Sequence, residues 1–356
     1  MNLTTVALPN LIAHDLVIVH PMSSMSGFIT YIEYQYASNK GATAQGDLIS
    51  NPFGFGKVDA SFTGAKVVEA ITAGMTKVAW GPVVAGSGKF LNDKNEEIEG
   101  GELKVDGTFT APEGATKIAY AYDNVVIPQK DLPMIKAEMK SISLVAKARR
   151  IAVYYSQIAA YQAKTDYGVD LGDQLAEKAV GELAYEIDTE ITNLLSDNAI
   201  ESAELVWSKV QPVGVSKSEH YEGFVEILEI AKQKIYDATK KFAPNFMLAA
   251  SDILPVLALV KGWQAAPAGQ VNGPYFAGTI NGLKVFVTPN IAPGKFVIGC
   301  NGSDMMSSAA VYAPYMAIVP TQLLGFADGG MSQGWSTLYD LKMLNKNLLI
   351  AGRITK

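Results

Sequence analysis

The chain has 356 residues, a length that fits two or three domains. Hydrophobic residues make up 49% and charged residues only 18%, against an average of about 25% charged, which excludes a disordered chain. A formal charge of −6 with no long like-charged block argues against an electrostatic grip on nucleic acid, and 32 Gly and 16 Pro in an apolar chain leave surface to be placed in large obligate interfaces.

Residues 1–22 are apolar, are broken by Pro9 and Pro21, and carry no helical period long enough to fold alone. Such an arm must lie on something. It has neither the basic n-region nor the cleavage site of a signal peptide. The run GFITYIEYQY (27–36) alternates and is rich in aromatic and β-branched residues, which predicts a strand. Residues 37–65, including NPFGFGK, predict an extended loop with turns. Between about 72 and 129 the short runs KVAWGPVV, GKFLN, GELKVDGTFT and TKIAYAYDNVVIP are separated by Gly, Asn and Pro turns, predicting a small β-sandwich. NDKN (92–95) and DGT (106–108) fit its hairpin connections. A module of about 60 residues is marginal by itself.

SISLVAKARRIAVYYS (141–156) alternates again and carries the Arg149–Arg150 pair, whose plain reading is a solvated face or ion pairing and whose functional reading is a patch for polyanions. The strongest periodic signal lies at 170–195. There Leu171, Leu175, Ala179, Leu183, Ile187, Ile191 and Leu195 recur every fourth residue, predicting a long amphipathic helix. Gly172 and Gly181 cost about 1 kcal/mol each relative to Ala inside a helix, so tertiary packing has to hold it. Ser216 and Glu219 have capping-box spacing, and Phe224, Ile227, Leu228, Ala231 and Ile235 extend a second helix to about Lys241. Next come a strand NFMLAA (245–250), a capped helix from Ser251 to about Lys261 and a Gly/Ala/Pro-rich loop at 262–273. Strands follow at LKVFVTP (283–289), KFVIGC (295–300) and VYAPYMAIVP (311–320), then a hairpin-like pair within 335–354. This is an α+β block with helices on a mixed sheet.

Nothing in the sequence assembles a reactive centre. Cys300 is the one cysteine and reads as a small buried hydrophobe. His14, His20 and His220 are scattered, without nucleophile-activating or metal-ligand spacing. AGSGKF (85–90) and GFGKVDASFTG lack the spacing and the following helix of a phosphate loop. Glu96, Glu97 and Glu99 sit in a polar turn, and Tyr154, Tyr155 and Tyr161 read as core before the long helix. The longest apolar runs fall far below the 18 or so residues of a membrane span. No catalytic, cofactor or metal residues are expected.

Four stretches, in order, carry a family resemblance: ALPNLIAHDLVIVHPM (7–22); LVAKARR through ITNLL (144–195), with its E-I-x-x-E-I rhythm at Glu186, Ile187, Glu190 and Ile191; NFMLAASDILPVL (245–257); and VYAPYMAIVP (311–320). In combination they resemble the major capsid proteins of T4-like tailed phages, which have the HK97 fold. The resemblance implies an N-arm at 1–26, an E-loop at 27–135 and a P-domain at 136–240 with its spine helix at about 170–197. An A-domain at 241–330 and return strands to the P-domain at 331–356 complete it. The β-module at about 72–129 is then an insertion in the E-loop, and it matches no motif of the family's type member. Members usually carry a propeptide removed by a prohead protease; this numbering starts almost at the arm, so the propeptide is expected either outside it or not at all.

The resemblance further implies homo-hexamers and pentamers that close an icosahedral-type shell around double-stranded phage DNA, held without sequence-specific binding. Assembly in the host bacterial cytoplasm, a place in the virion, and portal, scaffold, vertex or decoration proteins as partners follow from it, with no membrane and no cofactor. The arm and E-loop would lie across neighbouring subunits, which makes Leu8, Leu11, Ile12, Phe53, Phe55 and Trp263 candidate assembly contacts. Deleting residues 1–20 is expected to leave a soluble fold and abolish closed shells. Residues near 92–99 are expected on the outer surface, bridging capsomers. An encapsulin-like compartment and, from the β-module, a glycan-binding surface protein are the alternatives.

Overall fold

The computed structural model describes residues 12–40, 43–59, 62–72, 74–122, 133–267 and 273–355. The chain divides into two compact units, one of residues 1–29 with 141–356 and one of residues 30–140. Leu8 and Leu11 lie outside the described residues.

Among the described residues, the larger unit is built on two sheets and three helices longer than two turns, α1 (Gln157–Tyr167), α2 (Leu171–Asn198) and α3 (Lys217–Thr239). Its seven-stranded sheet runs Ile200–Ser208, Leu349–Thr355, Lys295–Gly299, Phe246–Ala250, Leu283–Thr288, Tyr275–Ile280 and Gln264–Ala265. The central strand FMLAA is buried at all five positions, as a strand covered on both faces must be, and it pairs parallel to Leu283–Thr288 but antiparallel to Lys295–Gly299. The five-stranded sheet runs Ile18–Val19, Ala310–Pro320, Gly330–Met343 and Lys147–Ser156, with Leu324–Gly325 paired to Gly330–Met343.

Helix α2 earns its stability from both sheets. Asp170 caps it by accepting the Gly172 and Asp173 N–H groups. Its first half buries Ala176, Ala179, Val180 and Leu183 against Ile318 and Trp335 of the five-stranded sheet. Its second half sends Ile187, Ile191 and Leu195 into the main core under the seven-stranded sheet. At about 1.5–3 kcal/mol for each large aliphatic chain, that burial outweighs the two helical glycines. Helix α3 starts at the expected capping box, with Ser216 Oγ accepting Glu219 N–H and Glu219 Oε2 accepting Ser216 N–H at 3.1 Å.

Several elements differ from the sequence reading. The pair expected within 335–354 is not a hairpin: Gly330–Met343 belongs to the five-stranded sheet and Leu349–Thr355 to the seven-stranded one. A 3-10 turn at Lys346–Leu348 lets the chain change sheets. The helix expected from Ser251 is a 3-10 turn (Ser251–Ile253) and one α-turn (Leu254–Leu257), and no side chain caps the 3-10 turn. The run at 141–156 is split, its start closing Ile135–Val145 and its remainder forming Lys147–Ser156, in different sheets. The strand Ile200–Ser208 and helix α1 carried no recognised signal.

The smaller unit contains a sheet ordered Ile135–Val145, Ser26–Tyr36, Leu48–Asn51, Gly54–Phe55, and the unit boundaries fall within its first two strands. Beyond it, Lys66–Ala70, Lys117–Ala121, Lys89–Leu91 and Glu97–Ile98 form a four-stranded antiparallel sheet, with a separate pair Glu102–Leu103 and Phe109–Thr110. Val67, Val78, Trp80, Val83, Phe90, Ile118, Tyr120 and Tyr122 give this module its own core. Both expected turns close these ladders. Asn92 Oδ1 accepts the Lys94 and Glu96 N–H groups while Asn95 takes φ 64°, and Gly107 supplies φ +88°. The KVAWGPVV run forms only isolated bridges, Lys77 to Thr108 and Val83 to Tyr122. Pro82 within it has no N–H to give a ladder.

Candidate assembly surfaces

The N-terminal segment is strapped to its own subunit. Ile18–Val19 pairs parallel with Val311 and Tyr312, and His20 and Met22 donate backbone N–H to Tyr312 O (2.9 Å) and Pro314 O (2.8 Å). Leu16 and Val17 have no exposed surface and join the main core, where Ile12 also packs. Ile12 N–H donates to Asp188 Oδ1 of α2 at 3.1 Å, and Lys284 Nζ meets Asp15 Oδ1 at 2.7 Å. Deleting residues 1–20 would therefore remove core side chains along with any arm, contrary to the sequence expectation of an intact fold. The apolar run reads as an arm lying across a neighbouring subunit because its partner strand lies almost three hundred residues away.

The other described candidates are dispersed. Trp263 packs on the main core, and a Cβ at Gly278 would come within 2.9 Å of its ring. Phe53 and Phe55 share the small hairpin of Leu48–Asn51 and Gly54–Phe55. Phe53 is buried, edge-on to Tyr31 at 5.1 Å, whereas Phe55 is 48% exposed.

Two open apolar surfaces escaped the sequence reading. In the smaller unit, Ser26–Tyr36 and Ile135–Val145 are neighbours, and Ala37 N–H donates to Met134 O at 2.8 Å. That register sets Ile32 opposite Met139 and Tyr34 opposite Ala137 on one face. The other face carries Glu33, Gln35, Glu138 and Lys140, linked by Lys140–Glu33 at 2.8 Å and by Gln35 Nε2 donating to Glu33 and Glu138, each at 3.2 Å. Glu33 there lowers the tendency of Lys140 to lose its proton. The polar face is the more enclosed one: Glu33 and Gln35 are buried, while Met139 is 76% exposed and Ile32 and Tyr34 stand open. A ribbon with its apolar side facing water calls for a cover.

In the larger unit, α1 buries no residue. Ser156 Oγ accepts Ile158 N–H at its start and Gly168 closes it in the left-handed conformation, so capping rather than packing ends it at both termini. Ile158 is 71% and Tyr161 73% exposed. Just before the helix, Tyr154 lies against Phe326 with ring centroids 6.3 Å apart and donates its hydroxyl to Asp328 Oδ2 at 3.0 Å. The Gly330 N–H and that hydroxyl hold the Asp328 carboxyl below its usual range. Leu324 and Phe326 are exposed beside them.

The family model for the major capsid protein Gp23 matches residues 1–344. The chain belongs to that family. It is similar to the major capsid protein of Enterobacteria phage T4, 24% identical over 373 residues that cover 90% of this chain and 70% of that protein. It also resembles the major capsid protein of a Vibrio phage, KVP40, at 24% identity over 199 residues, a match that covers 49% of this chain and only 38% of that relative. Among solved structures the capsid of Myoviridae phage XM1 superposes with a TM-score of 0.50 at 7% identity, covering 97% of this chain and 92% of that one. The fold of this capsid-family chain is the HK97 type, with mixed α and β content.

Arg149 reaches Glu190 of α2 at 2.6 Å, and the Tyr339 hydroxyl donates to the same carboxylate oxygen at 2.6 Å. Tyr339 and Glu190 together hold the guanidinium charged, which is the plain ion-pairing reading of the Arg pair. An open groove of about 310 Å³ runs beside them along α2, lined by Glu182, Tyr185, Glu186 and Asn193. Burial pushes the Cys300 thiol up to about 11, so it is a poor nucleophile. Among the described residues no group of three His, Cys, Asp or Glu could hold a metal ion, and no helix is long and apolar enough to cross a membrane.

Proposed function

We propose that this chain is the repeating subunit of a tailed-phage head, with no catalytic role. Copies associate through heterologous contacts into hexamers and pentamers that close a shell around double-stranded DNA. The observation that carries this reading, beside family membership, is the ribbon face of Ile32, Tyr34 and Met139: an ordered apolar face left open in one chain is explained by a second copy lying on it. The exposed side of α1 with Tyr154 and Phe326 is a second contact surface of the same kind.

In this reading residues 1–26 serve as N-arm, within which Ile18–Val19 is paired in the chain's own five-stranded sheet. Residues 27–135 serve as E-loop, 136–240 as P-domain with α2 as spine, 241–330 as A-domain and 331–356 as the return. The module around residues 72–129 lies on the outer surface, where it bridges capsomers. Portal, scaffold, and vertex or decoration proteins are the shell's partners, and the acidic balance keeps the wall from gripping packaged DNA. Negative-stain electron microscopy of the purified protein tests the reading. Hexagonal capsomers or closed polyhedral shells are expected; monomers under every assembly condition would overturn it.

A further inference from the structure

The smaller unit contains a buried lysine that the shell reading does not use. Lys40 is only 3% exposed. Its Nζ donates to Phe62 O at 2.7 Å, to Gly64 O at 2.8 Å and to the Tyr122 hydroxyl, so all three ammonium hydrogens are engaged. The same nitrogen lies 5.2 Å from the Trp80 ring centroid and 4.7 Å from that of Tyr122, and the two rings stack on each other. The backbone beneath it is fixed as well. Lys40 and Thr43 exchange N–H···O bonds of 3.2 Å, and Thr43 Oγ1 donates to Lys40 O at 2.6 Å.

The acceptors occupy telling places. Phe62 and Gly64 lie where the chain enters the β-module, just before Lys66–Ala70, and Tyr122 lies where it leaves, just after Lys117–Ala121. Tyr122 N–H closes the same junction by donating to Ala65 O at 3.0 Å. One ammonium therefore joins the segment leading from the ribbon to both strands that bound the module.

The charge is poorly explained as a source of stability. Burial lowers the affinity of Lys40 for its proton, and Asp59 only partly opposes this. A lysine whose proton is held less tightly when folded than when unfolded detracts from stability below its folded pKa, and relieves that deficit as pH rises. Replacing buried charge with an apolar chain is often neutral or stabilising, while buried polar groups can select one arrangement among several.

We propose that Lys40 is a clasp that fixes the β-module at one angle on the ribbon, and that the module, folded on its own core, pivots about residues 62–64 and 122 once the clasp is removed. The inference stands apart from the shell reading, since every group in it belongs to one chain.

The test uses the full chain, unassembled and diluted with unlabelled protein, carrying spin labels at Asp93→Cys on the module and Ala137→Cys on the ribbon. Buried Cys300 takes no label under mild conditions. A single narrow distance distribution is expected with Lys40 present and a broadened one in Lys40→Met. Hydrogen exchange of the Val67, Ile118 and Tyr120 amides should stay within about threefold of the parent, because these belong to the module's own core. A narrow distribution in Lys40→Met overturns the proposal. So does loss of protection at those three amides, which would make Lys40 part of the module's fold instead of its clasp.

Discussion

Replacing Leu16 with alanine tests whether the N-terminal segment is a strap on its own subunit. Leu16 has no exposed surface and sits in the main core with Ile187, Ile191 and the seven-stranded sheet. Truncating such a side chain loses its transfer free energy and leaves a cavity the surrounding sheet cannot fully close, together about 2–5 kcal/mol. A unit of this size moves its melting temperature by about 2–4 °C for each kcal/mol, so a mid-range loss of about 3 kcal/mol lowers it by about 6–12 °C. The control is Asp15→Asn one residue earlier. It breaks the Lys284 ion pair, whose side chains are both largely exposed, and should cost less than about 1 kcal/mol. Thermal circular dichroism and urea titration of the unassembled chain provide the readout. If Leu16→Ala and Asp15→Asn melt within about 1 °C of each other, the strap is not held by its apolar contacts and the reasoning from burial fails.

Three further outcomes follow from the surfaces and from Cys300. Met139→Lys on the open ribbon face should change monomer stability by less than about 0.5 kcal/mol, as exposed substitutions do, yet abolish capsomers in sedimentation; normal shells from this variant would exclude that face as a contact. Removing residues 1–11, which include the candidate contacts Leu8 and Leu11, should reduce shell closure, scored by electron microscopy, and normal closure would exclude them as contacts. Cys300 holds its proton up to about 11 in the fold against an ordinary value of 9.0. Its contribution to stability is therefore complete below about pH 9 and is lost as pH rises through about 11. A thiol reagent at pH 8 should react with it far more slowly in the native chain than in denaturant, and equal rates would contradict its burial.

What local sequence governs, the sequence alone made legible. The four-residue rhythm from Leu171 to Leu195 specifies α2 because each apolar group lies one turn above the last, and Asp170 caps the first turn from the neighbouring position. The Ser216 and Glu219 box and the turns at Asn92–Asn95 and Asp106–Thr108 are equally local, each closed by hydrogen bonds spanning a few residues. The family resemblance rested on such stretches in their order, and through them the HK97-type fold.

Tertiary structure decided everything that depends on which distant segment supplies the other surface. Helix α1 has no apolar stripe and owes its ends to Ser156 and Gly168. Gly330–Met343 and Leu349–Thr355 read as one hairpin because alternation does not say which sheet a strand will join. An apolar N-terminal run is the same sequence whether it is free or buried, and only the parallel pairing of Ile18 and Val19 with Val311 and Tyr312 made it core. The ribbon shows the limit most clearly. Alternation in GFITYIEYQY marks two faces, but the side that is enclosed follows from where Glu33, Gln35 and their cross-strand partners fold, and that left Ile32, Tyr34 and Met139 open. Lys40 likewise carries no local signal, since its carbonyl, hydroxyl and ring partners come from segments 22 to 82 residues away.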